Sequence, residues 1–176
     1  MFLYIHNLNS NEVWSATYQP MGIMPDEYTV TFEPDHVTFV RRDGSIETKT
    51  EVTVSPEHNA EVRRITLVNH GEYSRVLDVT SYFEVILAPM IDDIAHPAFS
   101  NLFVETQFVP EYNALLATRR ARTKEQKPVW LMHTLITEGE GIGQVQYETD
   151  RLKFIGRGRS LSCPAVIEPE YPLSDT

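Results

Sequence analysis

The polar and apolar positions in the first two-thirds of the chain alternate with a period of two, which sends successive side chains to opposite faces of a sheet. Residues 28–33 (YTVTFE) and 37–41 (VTFVR) are rich in β-branched and aromatic residues, and Pro34-Asp35-His36 between them predicts a tight turn. Asp43-Gly44 predicts a second hairpin, because glycine accepts the positive φ such turns demand. Beyond it Ile46, Thr48, Thr50, Val52 and Val54 alternate with Glu47, Lys49, Glu51 and Thr53, the pattern of a half-buried strand. Residues 56–59 break that pattern, and Glu61–Asn69 resumes it. After the turn Asn69-His70-Gly71 comes the longest run, 75–87, with Leu77, Val79, Ser81, Phe83, Val85 and Leu87 on one face. No amphipathic helix pattern interrupts the series. Short strands joined by short turns predict an all-β fold, an antiparallel β-sandwich or barrel.

Residues 89–113 differ. Pro89, Pro97 and Pro110 each remove a ladder donor, so this stretch reads as a long connection with one embedded strand at 102–106. Strands resume at Ala114–Arg119 and 129–136; a glycine-rich loop (138–143) and a further strand at 144–149 follow. The tail, with Pro164, Pro169 and Pro172, reads as extended and irregular.

Composition narrows the class. The chain has 176 residues, enough for a single domain spanning 1–176, and its 41% hydrophobic and 23% charged content is that of a globular protein. No uncharged apolar stretch of spanning length occurs, and the start lacks the basic and apolar regions of a secretory signal. One cysteine, Cys163, excludes an internal disulfide framework. The net charge of −10 argues against nucleic acid as a partner. That charge is segregated: residues 119–159 hold nine basic and five acidic residues, net +4, against six basic and twenty acidic elsewhere, net −14.

Several constellations invite chemistry. Asp92-Asp93-x-x-His96 offers metal-ligand types, but a third or fourth ligand is unmarked and a polar loop is the simpler reading, so no metal or cofactor is expected. Glu138 and Glu140 sit beside glycines rather than on the rigid elements that hold a glycosidase pair, and Cys163 has no identifiable base. The arginine-rich motifs carry more. Arg119, Arg120 and Arg122 follow one strand, and Asp150, Arg151, Arg157 and Arg159 lie in a segment containing Gly156 and Gly158. Guanidinium forks suit a sugar ligand or a docking face, and they equally suit salt bridges to the chain's many acids. Trp14, Tyr18, Tyr28 and Trp130 could stack on sugar rings, although alternation on strands favours packing.

Longer motifs show a resemblance. Val13-Trp14-Ser15, the stretches 51–56 (EVTVSP), Glu61–Asn69 and 80–84 (TSYFE), and above all 96–106 (HPAFSNLFVET), 116–122 (LATRRAR) and 148–159 (ETDRLKFIGRGR) resemble the amino-terminal part of glycoside hydrolase family 94, formerly glycosyltransferase family 36. The last three look like its cyclic β-1,2-glucan synthase branch. The resemblance implies a galactose-mutarotase-like β-sandwich, incomplete here, that precedes an (α/α)6 catalytic barrel carrying the family's catalytic acid. It implies a fragment of a longer enzyme, non-catalytic by itself, partnered by that downstream barrel and by β-glucan. It also implies homo-oligomer contacts and no membrane contact by this segment. A cytoplasmic location goes with it, any inner-membrane attachment of the parent enzyme being made by other segments. Trp14 and the arginine motifs are the expected sugar-binding or docking residues. Two alternatives stand beside this reading: a self-sufficient carbohydrate-binding module, and a mutarotase- or epimerase-like enzyme.

Overall fold

The computed structural model of the chain describes residues 1–95, 102–121, 127–139, 141–168 and 171–173. His96, Arg122, Glu140 and the Asp92 side chain lie outside the described residues. The fold is antiparallel throughout its paired strands, as the alternation predicts. Two compact units share the chain, one formed by residues 1–83 with 158–171 and the other by residues 84–157 with 172–176.

The first unit contains two sheets. Strands β1 (Phe2–Asn7), β2 (Glu12–Ser15) and β7 (Leu77–Tyr82) form a three-stranded sheet in the order β2-β1-β7. Strands β3 (Glu27–Phe32), β4 (His36–Asp43), β5 (Ile46–Val54) and β6 (Glu61–Asn69) form a four-stranded meander in sequence order. The β4–β5 register pairs Asp43 with Ile46, so Gly44 and Ser45 alone make the turn, and Gly44 has the positive φ of 58° that this turn needs. On β5, Ile46, Thr48 and Thr50 are buried while Glu47 and Lys49 are only half-buried, so alternation and burial agree. The core lies between the sheets: Leu3, Ile5, Trp14 and Ala16 meet Ile46, with Ile65, Leu67, Leu77 and Val79 packed against them.

Two features of this unit escape the pattern of the sequence. Strand β1 is buried from Leu3 to Asn7, so it lacks the polar face that marks a half-buried strand. Its outward-facing Tyr4 donates a hydrogen bond to the Leu161 carbonyl at 2.8 Å, because the tail returns over it. The run predicted for 75–87 is a strand over Leu77–Tyr82, paired with β1 from Asn7–Leu77 to Phe2–Tyr82.

The second unit has a three-stranded sheet, β10-β9-β8, made of β8 (Val104–Val109), β9 (Ala114–Arg119) and β10 (Trp130–Thr134). Among the described residues, two short α-helices, α1 (Met90–Ala95) and α2 (Arg151–Ile155), stand where the sequence predicts none. The α2 start is set by Asp150, whose carboxylate accepts from the Leu152 and Lys153 amides at 2.8 and 3.4 Å. The strand predicted at 144–149 is absent: Tyr147 instead stacks its ring on Phe108 of β8, centroids 4.2 Å apart. Its apolar position is thus used by ring packing rather than by a ladder. No helix among the described residues is long and apolar enough to cross a membrane.

Candidate functional site

The arginines singled out by sequence are distributed over both units. Arg119 ends β9 on a covered face and is 6% exposed; its Nη1 donates to the Ile86 carbonyl at 3.4 Å. Its guanidinium lies 5.5 Å from the Phe103 ring centroid, and that of Arg120 lies 5.7 Å from the same ring, both within cation–π range. Asp150 caps α2, and Arg151 Nε donates to Glu84 at 2.8 Å. Arg157 is exposed and belongs to this second unit. Arg159 belongs to the first unit and pairs with Glu168. Among the described residues of the segment with net positive charge, Arg119, Arg120, Arg151 and Arg159 each answer a carbonyl, a carboxylate or a ring.

Trp14 corrects an expectation. It is 3% exposed in the core, and its Nε1 donates to Thr48 at 3.4 Å, so the indole has no free face for a sugar. The sequence could not separate it from Trp130, which has the same strand context but is 58% exposed.

On β4, Arg41 is fully buried, and its guanidinium meets Asp43 through two bonds of 2.7 and 2.6 Å. It also donates to the Thr17 carbonyl at 2.7 Å, fastening the connection from β2 to β3. A charge held this way is a structural clamp, since its donors are directed at fixed acceptors.

Residues 1–176 match the family model of the glycosyl hydrolase 94 supersandwich domain over the whole chain. The chain belongs to that family. The supersandwich domain is also 36% identical, over 177 aligned positions, to the cyclic beta-(1,2)-glucan synthase NdvB of Rhizobium meliloti (strain 1021). That alignment covers 99% of this chain and 6% of the relative, so the chain spans a small part of the protein it matches.

Two further places in the supersandwich domain have binding geometry that the sequence did not single out. A cleft of about 290 Å³ opens between the sheets of the first unit, with Leu3, Phe32, Val37, Phe39 and Val52 as apolar lining and Arg63 at its edge. It suits an apolar side chain. At the β3–β4 turn, ligand atoms of Glu33, Asp35 and His36 lie within 4.8 Å of one another. His36 Nδ1 is 2.9 Å from Asp35 and its Nε2 is 3.4 Å from Glu33. The Asp35 hydrogen bond raises the His36 pKa above its ordinary value, and Asp35 is lowered in turn by the same bond. Both ring nitrogens thus face carboxylates, which favours a held proton. The three lie within four positions of the chain, and the turn aims their ligand atoms at one another.

Proposed function

We propose that this supersandwich domain is a non-catalytic module of a cyclic β-(1,2)-glucan synthase-like enzyme, one that supports the catalytic barrel elsewhere in the parent protein and holds glucan. The observation that carries the reading is the 36% identity to a cyclic glucan synthase along 99% of this chain but only 6% of that protein. A short, end-to-end match inside a long polypeptide is what a structural module leaves. The charged groups add support, because Arg41, Arg151, Arg159 and Asp150 have specific structural partners within the chain. A module of this kind accompanies its enzyme, so a cytoplasmic location belongs to the same reading.

The test incubates the purified chain with linear β-1,2-gluco-oligosaccharides, with and without inorganic phosphate and UDP-glucose. The expected result is saturable binding and an unchanged oligosaccharide mass profile. Release of glucose 1-phosphate, or altered chain lengths, would overturn the non-catalytic assignment. Absence of binding by the folded chain would remove the glucan-holding half of the proposal.

A further inference from the structure

The two faces of the β10-β9-β8 sheet are unlike. The registers Trp130–Thr118–Glu105 and Met132–Leu116–Gln107 place these six side chains on one face. The opposite face carries Phe108, stacked on Tyr147, together with Ala117 and Arg119, which are 4% and 6% exposed. Along β9 that face is covered at Ala117 and Arg119. On the first face Trp130 is 58% and Met132 65% exposed, and Glu105 and Gln107 are exposed as well. Neither the Glu105 carboxylate nor the Gln107 amide has a hydrogen bond or ion pair among the described residues.

The open face is therefore two-natured. An apolar stripe of Trp130, Met132 and Leu116 runs along β10 and β9, and an unengaged polar stripe of Glu105 and Gln107 runs along β8. Strand geometry fixes its scale: same-face neighbours along a strand are about 7 Å apart, and β10 to β8 spans about 10 Å. An occupant that is apolar on its flat face and hydroxylated along one edge answers both stripes at once. A protein strand with apolar side chains would cover Glu105 without supplying a donor, leaving a desolvated carboxylate. A β-linked glucose ring presents C–H bonds to an indole and equatorial hydroxyls to a carboxylate and an amide. The indole gives that contact at little conformational cost, having two torsions to fix.

We propose that the Trp130 face of this sheet is the glucan-holding surface, taking a short run of β-linked glucose with one ring on the indole and hydroxyls on Glu105 and Gln107. This deepens the glucan-holding part of the function proposed above and rests on it. It assigns the contact to Trp130, not to Trp14 or to the arginines.

The experiment titrates the whole chain with linear β-1,2-gluco-oligosaccharides by calorimetry, and in parallel follows iodide quenching of tryptophan emission. Trp14 is buried and Trp130 exposed, so quenching reports Trp130. Saturable binding is expected, with loss of quenching as the sugar shields the indole. Trp130→Ala should weaken binding about tenfold or more, a loss of about 1.4 kcal/mol; Gln107→Ala should weaken it less. Tyr73→Ala, an exposed aromatic in the first unit, should leave it unchanged. Circular dichroism verifies that each variant is folded, and Trp130→Phe, which keeps a ring, should retain part of the affinity. Binding that survives Trp130→Ala overturns this site and leaves the glucan-holding reading standing. No binding by the folded wild-type chain overturns both.

Discussion

Removing the Arg41 side chain is the most direct test of what holds the first unit together. Arg41→Ala deletes a guanidinium that is 0% exposed and leaves Asp43, whose side chain is 15% exposed, without its bidentate partner. Breaking a buried pair from one side costs about 3–5 kcal/mol, chiefly through the orphaned charge. Asp43 retains some access to water, which places the expected loss near the lower end, about 3 kcal/mol. The Thr17 carbonyl loses its donor too, and with it the fastening of the β2–β3 connection. The assay is urea unfolding followed by Trp14 emission in a Trp130→Phe background, so that the signal comes from the first unit. With a slope of about 2 kcal/mol per molar urea, the midpoint should fall by about 1.5 M. A shift under about 0.5 M would refute the clamp. Arg41→Met combined with Asp43→Leu separates the causes: if the orphaned carboxylate dominates, the double variant regains much of the loss.

Three other outcomes follow from the geometry. Trp14→Ala should destabilise the first unit by about 3–5 kcal/mol, as deletion of a buried aromatic does, measured by the same urea unfolding with near-ultraviolet circular dichroism as the signal. Burial pushes the Tyr4 hydroxyl up to about 12 from 10.0, so one of the chain's eight tyrosines should ionise last in an alkaline absorbance titration. The sign is set by linkage: Tyr4 contributes stability fully below pH 10, lost as pH rises toward 12, and Tyr4→Phe should remove that late step. His36, raised by its bond to Asp35, should titrate above 6.5 by NMR, and Asp35→Asn should bring it down. Its contribution to stability is present below pH 6.5 and lost as pH rises through the raised value; a midpoint below 6.5 would contradict the turn geometry.

How much of this was legible in the sequence differs from strand to strand. β5 and β6 could be read because one face of each meets the core and the other is more exposed, so burial wrote itself into alternation. β1 could not, since the tail covers Tyr4 on the face that would otherwise be polar. α2 depended on Asp150 acting as a cap, a five-residue helix too short to leave a period. The strand expected at 144–149 failed for a related reason: period-two spacing records that Tyr147 needs a partner, and Phe108 supplies it without a ladder.

The candidate site divides along the same line. The sequence alone determined the all-β antiparallel class, the hairpin at Asp43-Gly44 and, through its long motifs, the family. These depend on local turn chemistry and on alternation, which neighbouring residues encode. The tertiary structure decided which tryptophan is core and which is open, because Trp14 and Trp130 differ only in what packs over them. It also decided that Arg119 and Arg120 share the Phe103 ring while Arg159 turns to Glu168 in the other unit. Such pairings join residues from separate elements, and composition along the chain carries no record of where those elements meet.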